Sequence, residues 1–422
     1  MPARQQKAIR PSPSSTGLGV RLSEEGLEAL LVVAESSRDS DLAGFVGQVH
    51  LGSCFLVYPA VGPPRLGYFT PMESGEAADT GIDLLSPKDL GVEEARREAH
   101  SEGVLWGIVL GRGLELSGVV PGKIALAGHA PAGVLLEAAR GLEAAGWVLV
   151  DGREISLTER KSKGNLELDA VRHAAAGTCA AFQAVAALLA DCETSRAGAL
   201  AIEGSPLTTG RVRREISQKL AEFGLEQPEG NIVAAGAAAG VPHNQGDSAR
   251  ELRAGEALIV DLFPKKHVFA DCTRTFCVGE PSEALAAAHL TVREALARGH
   301  ASAVAGVSGW QLQRDVCRHF DEAGHATPTS SPLTNHGFVH GLGHGVGFDI
   351  HEYPSFRAKA GDEGVLRVGD VFTLEPGLYY PDHPSGGFGV RLEDLVVMTV
   401  DGPENLTPLP HDLDPRDWKM GT

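Results

Sequence analysis

Residues 339–354 read VHGLGHGVGFDIHEYP. Three histidines lie among the closely spaced glycines of this segment: His340, His344 and His351. Imidazoles at this density can bind a metal ion, move protons or donate hydrogen bonds to developing negative charge. The stretch HEYPS begins like the zinc-protease helix H-E-x-x-H, but Ser355 replaces the second histidine and Pro354 would break the helix. The glycines never complete G-x-G-x-x-G, so a dinucleotide-binding turn is not predicted either.

Four carboxylates lie inside or beside apolar runs that predict strands. They are Asp261 after ALIV, Asp271 after HVFA, Glu375 in VFTLEPG and Glu393 in GVRLEDLVV. A carboxylate in an apolar strand is costly unless a partner neutralises it. Four carboxylates and one imidazole form an oxygen-rich donor set. Such a set is typical of a pair of divalent Mn, Co or Zn ions and not of a structural zinc site with thiolate ligands.

The secondary-structure elements predicted along the chain fall into two groups, and only the second carries these side chains. The first group alternates strands with helices, which predicts an α/β layer domain: strands at 27–35, 54–60, 123–128 and 147–150, and helices at 92–109 and 134–146. The second is richer in antiparallel strands and long helices: helices at 168–192, 209–224, 282–303 and 308–324, and strands at 231–236, 256–263, 267–278, 370–380 and 389–400. The carboxylates and the His/Gly segment all belong to the second group.

The composition shifts divide the chain into five segments. We predict a disordered tail at 1–18, an N-terminal α/β domain at 19–152, a polar linker at 153–167, a second domain at 168–410 and a tail at 411–422.

Composition and charge exclude several classes of protein. The formal net charge of −18 argues against nucleic acid or an anionic membrane as a partner, since both require clustered Lys and Arg. Six cysteines occur without a C-x-x-C pair, which is typical of reduced thiols. We see no apolar signal-peptide region, and we expect no apolar run that approaches the roughly 18 residues of a membrane span. The prediction is a soluble cytoplasmic protein.

The motifs, taken in order, resemble one known family. Asp261, the stretch DCTRTF at 271–276, HGLGHGVG at 340–347 followed by His351, LEPG at 374–377 and RLED at 391–394 are similar to the motifs of the pita-bread metallopeptidases, family M24. Within that family they resemble the Xaa-Pro branch, which contains aminopeptidase P and prolidase. The resemblance covers roughly residues 155–405. It implies an α+β fold, in which a C-terminal pita-bread (creatinase/aminopeptidase-like) catalytic domain follows a smaller α/β domain.

The resemblance also implies roles for individual residues. Two divalent ions per subunit, manganese above all and otherwise cobalt or zinc, would be held by Asp261, Asp271, His344, Glu375 and Glu393. Asp271 and Glu393 would bridge both ions. Glu375 would also carry a proton to the leaving nitrogen, and His351 and His340 would stabilise the tetrahedral intermediate. The substrate would be contacted by His243, His340, His351 and Arg391.

One feature departs from the family pattern. Asp261 and Asp271 are ten residues apart, where the family usually has about eleven, and FPKKH replaces a Gly-containing turn. A hairpin tip can lose a residue without moving the pairing at its base, so we expect the two carboxylates to converge.

The expected function is metal-dependent hydrolysis of Xaa-Pro peptide bonds by an exopeptidase that acts as a homodimer on peptides. Three alternatives stay open. The first is an exopeptidase of broader or altered specificity, including carboxypeptidase action. The second is a creatinase-like enzyme without metal, against which the five ligands speak. The third is a non-catalytic pita-bread module that binds basic partners, which the net charge permits but which typically lacks the ligands.

Overall fold

The computed structural model describes residues 15–357 and 361–418. Two compact units follow one another along the chain, and the boundary between them lies between Arg160 and Lys161. Each unit has its own hydrophobic core.

The first unit contains a six-stranded mixed sheet in the order β4-β3-β2-β1-β5-β6. Its strands are β1 Ala29–Ala34, β2 Cys54–Pro59, β3 Arg65–Tyr68, β4 Asp83–Leu85, β5 Lys123–His129 and β6 Val148–Asp151. The central strand β1 reads ALLVVA and is buried throughout. Leu31 and Val33 enter one apolar cluster, whereas Leu30 and Val32 enter another. A continuous apolar strand of this kind is what a sheet covered on both faces requires.

Helices supply the two apolar layers of the first unit. They are α1 Ser15–Glu24, α2 Ser40–Val46, α3 Ser74–Ala78, α4 Val92–Glu98, α5 Glu102–Leu116, α6 Ala132–Ala144 and α7 Arg153–Glu159, with a 3₁₀ turn at Pro71–Glu73. Trp106 of α5 and Leu142 of α6 belong to the cluster of Leu31, and Leu22 of α1 and Leu42 of α2 belong to that of Leu30. The predicted α/β layer domain is therefore present.

In its described residues the second unit combines four helices with several small antiparallel sheets. The helices are α8 Asn165–Ala190, α9 Thr209–Glu222, α10 Glu283–Ser302 and α11 Gly309–Glu322, with 3₁₀ turns at Gly236–Gly240, Asp362–Gly364 and Pro415–Asp417. The strands are β7 Glu193–Thr194, β8 Leu200–Ile202, β9 Ser205–Pro206, β10 Asn231–Ala235, β11 Leu258–Leu262, β12 Cys272–Phe276, β13 Val371–Leu374, β14 Gly377–Tyr380, β15 Phe388–Arg391, β16 Asp394–Thr399 and β17 Gly402–Asn405.

The sheets of the second unit have the orders β10-β11-β12, β13-β16-β17, β14-β15 and β7-β8-β9. Their apolar side chains share one core with α10 and α11, in which Val292 and Phe320 of the helices join Phe372 and Leu378 of the strands. The sheets that carry the candidate residues are thus packed directly on long helices, which fixes their positions.

Helix α8 departs from the expectation about apolar runs. Among the described residues it is long and apolar enough to cross a membrane by length and composition, with a mean hydropathy of 1.4 over its best 18-residue window. Half of that window is buried inside the protein, as in the core helix of a soluble domain. The Ala-rich sequence of α8 accounts for its high hydropathy.

Three predicted segment boundaries are wrong. The linker predicted at 153–167 contains α7, in which Ile155 and Leu157 are buried, and α8 begins within it. The tail predicted at 1–18 ends in the first turn of α1, and Leu18 is buried. The tail predicted at 411–422 is packed as far as Trp418, whose ring lies 5.0 Å from that of Phe276. In each case a few apolar residues pack into the protein and order a segment whose overall composition is polar. Residues 1–14 and 419–422 lie outside the described part of the chain.

Candidate metal and active site

The first two carboxylates lie on one face of the β11–β12 hairpin. The register pairs Asp261 with Thr273 and Leu262 with Cys272. Because side chains alternate across a strand, Asp271 shares the face of Thr273 and hence that of Asp261. The expectation that the ten-residue spacing still brings both carboxylates together is met, since both line the same cavity.

The other two carboxylates lie where two strands each change sheet. The predicted strands at 370–380 and 389–400 are both interrupted, the first at Glu375 and the second at Glu393. Leu374 pairs with Asp394 on one side of these interruptions, and Gly377 pairs with Arg391 on the other. The two breaks therefore face each other across the pairing, which sets Glu375 beside Glu393.

The His/Gly segment runs alongside β13 at very short range. His344 accepts at its carbonyl the N–H of Thr373 at 2.8 Å, and Glu375 donates its N–H to the carbonyl of Leu342 at 2.6 Å. A Cβ at Gly343 would lie 2.0 Å from the carbonyl oxygen of Thr373. Only glycine permits this approach, which inserts His344 between the carboxylates.

The donor atoms of the site lie close together. One donor atom each from Asp271, His344 and Glu393 can be chosen so that all three lie within 4.8 Å of one another. His344 Nε2 lies 3.5 Å from Asp271 Oδ2 and 3.6 Å from Glu375 Oε1. Asp261 points its Oδ2 at the guanidinium of Arg391.

Two observations fit this donor set to a metal ion. His344 Nδ1 is hydrogen-bonded to the carbonyl of Gly345 at 3.1 Å, and a carbonyl only accepts, so the ring proton is on Nδ1. Nε2 then presents a lone pair to carboxylate oxygens at 3.5 and 3.6 Å, an arrangement that a metal ion between them would stabilise. In addition, Asp261 Oδ1 and Asp271 Oδ1 are buried without a hydrogen-bond partner among the described residues. A divalent cation would satisfy both oxygens.

The electrostatics of the site agree with this fit. Burial raises the pKa of Asp271 and of Glu375 well above the usual range, and the neighbouring Glu393 carboxylate raises both further. Burial and Asp261 raise the pKa of Glu393 to about 8. Crowded carboxylates ionise together only when positive charge lies among them. Burial lowers the pKa of His344 to about 3, so this imidazole is neutral at pH 7 and free to coordinate.

A buried polar network surrounds the donor set. Arg391 pairs with Asp261, donates to Thr273 Oγ1 at 3.0 Å and donates to the hydroxyl of Tyr379 at 2.9 Å. Thr273 in turn donates to Glu393 Oε2 at 2.7 Å. Arg391 therefore links three strands beside the donor set: β11 through Asp261, β12 through Thr273 and β14 through Tyr379.

His340 belongs to the same network. Its Nε2 lies 2.8 Å from the Tyr379 hydroxyl, and its Nδ1 lies 2.7 Å from the carbonyl of Gly341. The carbonyl fixes the proton on Nδ1, so Nε2 accepts from Tyr379, whose own oxygen accepts from Arg391. Burial lowers the pKa of His340 to about 3 and keeps it in this neutral form.

The remaining candidates open onto a cavity of about 820 Å³ in the second unit. All five carboxylate and imidazole donors line it, together with His243, His340, His351 and Arg391. Its apolar wall is made by Ile232, Phe263, Trp310, Val339, Ile350 and Phe356. His351 stacks edge-on against His344, with ring centroids 4.3 Å apart. The cavity is large enough for a short peptide and joins an apolar side to a charged side.

Three polar residues of the site were not predicted. Thr273 lies in the DCTRTF motif and Tyr379 lies in β14, two residues after LEPG; the signal for both was a polar group inside a buried strand. Gln313 occupies a position of α11 where the helical period calls for an apolar residue. It accepts the N–H of Leu342 and donates to the carbonyl of His340 at 3.5 Å, so it clamps the backbone of the His/Gly segment.

Residues 169–400 match metallopeptidase family M24, and this match covers more than half of the chain. The chain belongs to that family, which confirms the family prediction. Family membership also implies divalent metal.

Sequence relatives bear on the branch of the family. The chain is 34% identical over 213 residues to the Xaa-Pro dipeptidase of Pyrococcus furiosus, across 49% of this chain and 57% of that protein. It is 33% identical over 215 residues to a probable dipeptidase, PepE, of Mycobacterium tuberculosis, across 49% and 52%. The matched region thus spans little more than half the length of these relatives.

The solved structures extend the likeness over the whole fold. The prolidase of Pyrococcus horikoshii superposes with a TM-score of 0.71 at 20% identity, over 94% of this chain and 99% of that one. The X-Pro aminopeptidase of Thermotoga maritima gives a TM-score of 0.67 at 22% identity, over 94% and 98%. The prediction of a pita-bread domain preceded by an α/β domain is confirmed.

Proposed function

We propose that this chain is a dinuclear-metal exopeptidase that hydrolyses Xaa-Pro peptide bonds. The observation that carries the proposal is the lone pair of His344 Nε2, which faces two carboxylates at 3.5 and 3.6 Å in a cavity with two partnerless carboxylate oxygens. An inert binding surface would have no reason to keep so costly an arrangement.

The proposed metal ligands are Asp261, Asp271, His344, Glu375 and Glu393. Four carboxylates balance two divalent charges, and the oxygen-rich set favours manganese, with cobalt or zinc as alternatives. When bound, two such ions would polarise the scissile carbonyl and lower the pKa of a water molecule. Every other step falls to the side chains.

Glu375 is the proposed proton carrier. Its Oε1 lies 3.6 Å from His344 Nε2, and its Oε2 lies 3.7 Å from His340 Nδ1. A carboxylate at this position, beside the metal ligands and lining the cavity, can accept a proton from water. The same group can return that proton to the leaving nitrogen.

The imidazoles have separate proposed roles. The resemblance implied that His340 stabilises the tetrahedral intermediate. Both of its ring nitrogens are engaged within the protein, so we propose instead that His340 orients the Tyr379 hydroxyl. His351 is exposed to the cavity and is proposed to donate a hydrogen bond to the tetrahedral intermediate. His243 is exposed at the cavity and, with Arg391, is proposed to form the polar wall of the substrate pocket.

The apolar wall of the cavity supports the choice of proline. A proline residue has a ring and no N–H, so its recognition depends on shape and apolar contact more than on hydrogen bonds. Phe263 and Ile232 lie in the same cavity as the metal ligands and are proposed to contact that ring.

We further propose a soluble, cytoplasmic homodimer whose substrates are peptides and which binds neither nucleic acid nor membrane. The net charge of −18 supports the last two points, and the resemblance to the Xaa-Pro branch supports the dimer. Sedimentation of the purified protein tests the dimer directly.

The deciding experiment is a peptide series assayed with and without Mn²⁺. Ala-Pro, Ala-Pro-Ala, Ala-Ala and an N-acetylated Ala-Pro-Ala are compared, each in metal buffer and in chelator. Metal-dependent cleavage of Ala-Pro but not Ala-Ala supports Xaa-Pro specificity, and cleavage of the tripeptide decides between dipeptidase and aminopeptidase P action. Cleavage of the acetylated peptide from its C-terminus would indicate carboxypeptidase action instead. Absence of all cleavage in the metal-loaded protein would refute the proposal.

A further inference from the structure

The chain between His344 and His351 folds into a closed turn. Gly345 donates its N–H to the carbonyl of Glu352 at 3.1 Å, and Glu352 donates its own N–H back at 2.9 Å. The carboxylate of Glu352 accepts the N–H of Phe348 at 3.1 Å and that of Asp349 at 3.3 Å. One residue thus ties both the ends and the tip of the turn. Since His344 and His351 directly precede the paired residues Gly345 and Glu352, the turn also sets their separation.

A buried lysine from a distant part of the sequence completes this turn. Lys163 forms an ion pair with Glu352 in which neither side chain has any exposed surface. Its Nζ also donates to the carbonyl of Lys161 at 3.0 Å, and its N–H donates to the carbonyl of Gly369 at 2.9 Å. The lysine is therefore fixed at both its backbone and its charged end.

The turn is packed tightly against the pair. A Cβ at Gly347 would lie 2.2 Å from Glu352 Oε1 and 2.7 Å from Lys163 Cε. The backbone of Gly347 thus lies flat on the two side chains. Removing the cation from a buried ion pair strongly destabilises the remaining carboxylate. The packing around Gly347 leaves no room for the Glu352 side chain to move to a new position.

From this geometry we infer that Lys163 is a positioning residue for the candidate site. Acting through Glu352, it holds the turn that presents His344 to the metal and His351 to the substrate. The catalytic consequence rests on the proposed function, whereas the effect on the turn does not. Outer partners of metal ligands commonly change metal affinity or activity by about 10- to 100-fold when they are removed.

The test compares Lys163→Met with a matched control, Lys161→Met. Lys161 is the other buried lysine of the same segment, and its Nζ lies 3.5 Å from Asp370 and 2.6 Å from the carbonyl of Val365, outside the turn. Three properties are measured for each folded variant: hydrogen exchange of the amides at 345–352, Co²⁺ affinity with its visible absorption band, and kcat and KM for Ala-Pro.

We expect Lys163→Met to speed exchange in the turn by about tenfold or more, to weaken Co²⁺ binding and shift its band, and to lower kcat by about 10- to 100-fold. KM should change by less than about threefold, because the role concerns orientation during the reaction. Lys161→Met should leave all of these as in wild type and loosen 362–370 instead. The double variant Lys163→Met/Glu352→Gln, which has no unpaired buried charge, should recover part of the protection.

The inference is overturned if folded Lys163→Met keeps wild-type exchange in the turn, or if it loosens the turn with no change in Co²⁺ binding and kcat. It is also overturned if Lys161→Met has equal effects. Should Lys163→Met fail to fold, Glu352→Gln, which keeps an acceptor oxygen for the turn but loses the charge, is measured in its place. If the wild type cleaves no Xaa-Pro peptide, the proposed function fails, and exchange and Co²⁺ titration still decide the role of Lys163.

Discussion

Removal of metal should make the stability of this protein fall as the pH rises. In the absence of a cation, burial and the charge of Asp261 raise the pKa of Glu393 from 4.5 to about 8, and the group is almost completely buried. The folded state then holds a proton that the unfolded chain has lost. Between pH 4.5 and 8 the unfolded state binds fewer protons, so the free energy of unfolding decreases with rising pH.

The size of the effect follows from this shift. Each pH unit inside that interval costs about 1.4 kcal/mol for one such group, so from pH 6.5 to 8 the loss is about 2 kcal/mol. Asp271 and Glu375, whose pKa values are also raised, add to the loss. The pKa values of His340 and His344 are lowered in the folded protein, so both are neutral there throughout the window. In the unfolded chain they lose their remaining protons just above pH 6.5, and this contribution is the same with and without metal. Bound metal keeps the carboxylates ionised, so the slope should vanish.

The assay is urea unfolding at pH 6.5, 7.25 and 8 in excess chelator and in excess Mn²⁺. Subtracting one series from the other removes the contribution that titratable groups remote from the site make to the pH dependence of stability. Glu393→Gln in chelator serves as the control and should show a flatter dependence than wild type. A stability difference between the Mn²⁺ and chelator series that stays constant from pH 6.5 to 8 would refute the electrostatic account of the site.

Three further outcomes are expected. Asp271→Asn should lose metal together with activity, whereas His351→Ala should keep metal and lose kcat, and elemental analysis beside kinetics separates the two; loss of metal from His351→Ala would contradict the assigned roles. Tyr379→Phe removes a hydroxyl shared by an imidazole and a guanidinium, and it should lower kcat by about tenfold with metal retained. Burial lowers the pKa of His289 to about 4, so its contribution to stability is complete above pH 6.5 and falls by about 3 kcal/mol as the pH drops to 4; His289→Gln should lose that dependence in unfolding experiments, and an unchanged slope would exclude this origin.

The sequence predicted the members of the site better than it predicted their arrangement. Asp261 and Glu393 were recognisable because a carboxylate inside an apolar strand demands an explanation. The strand interruptions at Glu375 and Glu393 could not be predicted, because the apolar pattern continues across the point where each strand changes sheet. Strand periodicity reports which face a side chain takes and does not report which neighbouring sheet the strand joins.

Long-range partners were missed for a different reason. Lys163 and Glu352 are 189 residues apart in sequence, and the segment of Lys163 was read as a linker because its composition is polar. A lysine in such a segment is ordinarily solvated, and only packing against Gly347 and Glu352 shows that this one is buried. Burial of a charge is a tertiary property that local composition cannot supply.

The glycines of the His/Gly segment explain why imidazoles can be so dense there. Each of three glycines meets a different obstacle: Gly343 meets the carbonyl of Thr373, Gly345 meets the backbone at Tyr353, and Gly347 meets the Lys163–Glu352 pair. A side chain at any of these positions would push the segment away from β13 or open the turn. The histidines in between are free to reach the cavity only because the backbone beside them is in contact with protein on its other side. The dense imidazoles therefore depend on the glycines: the glycines let the backbone approach β13 and the Lys163–Glu352 pair closely, and the histidines supply the side chains that face the cavity.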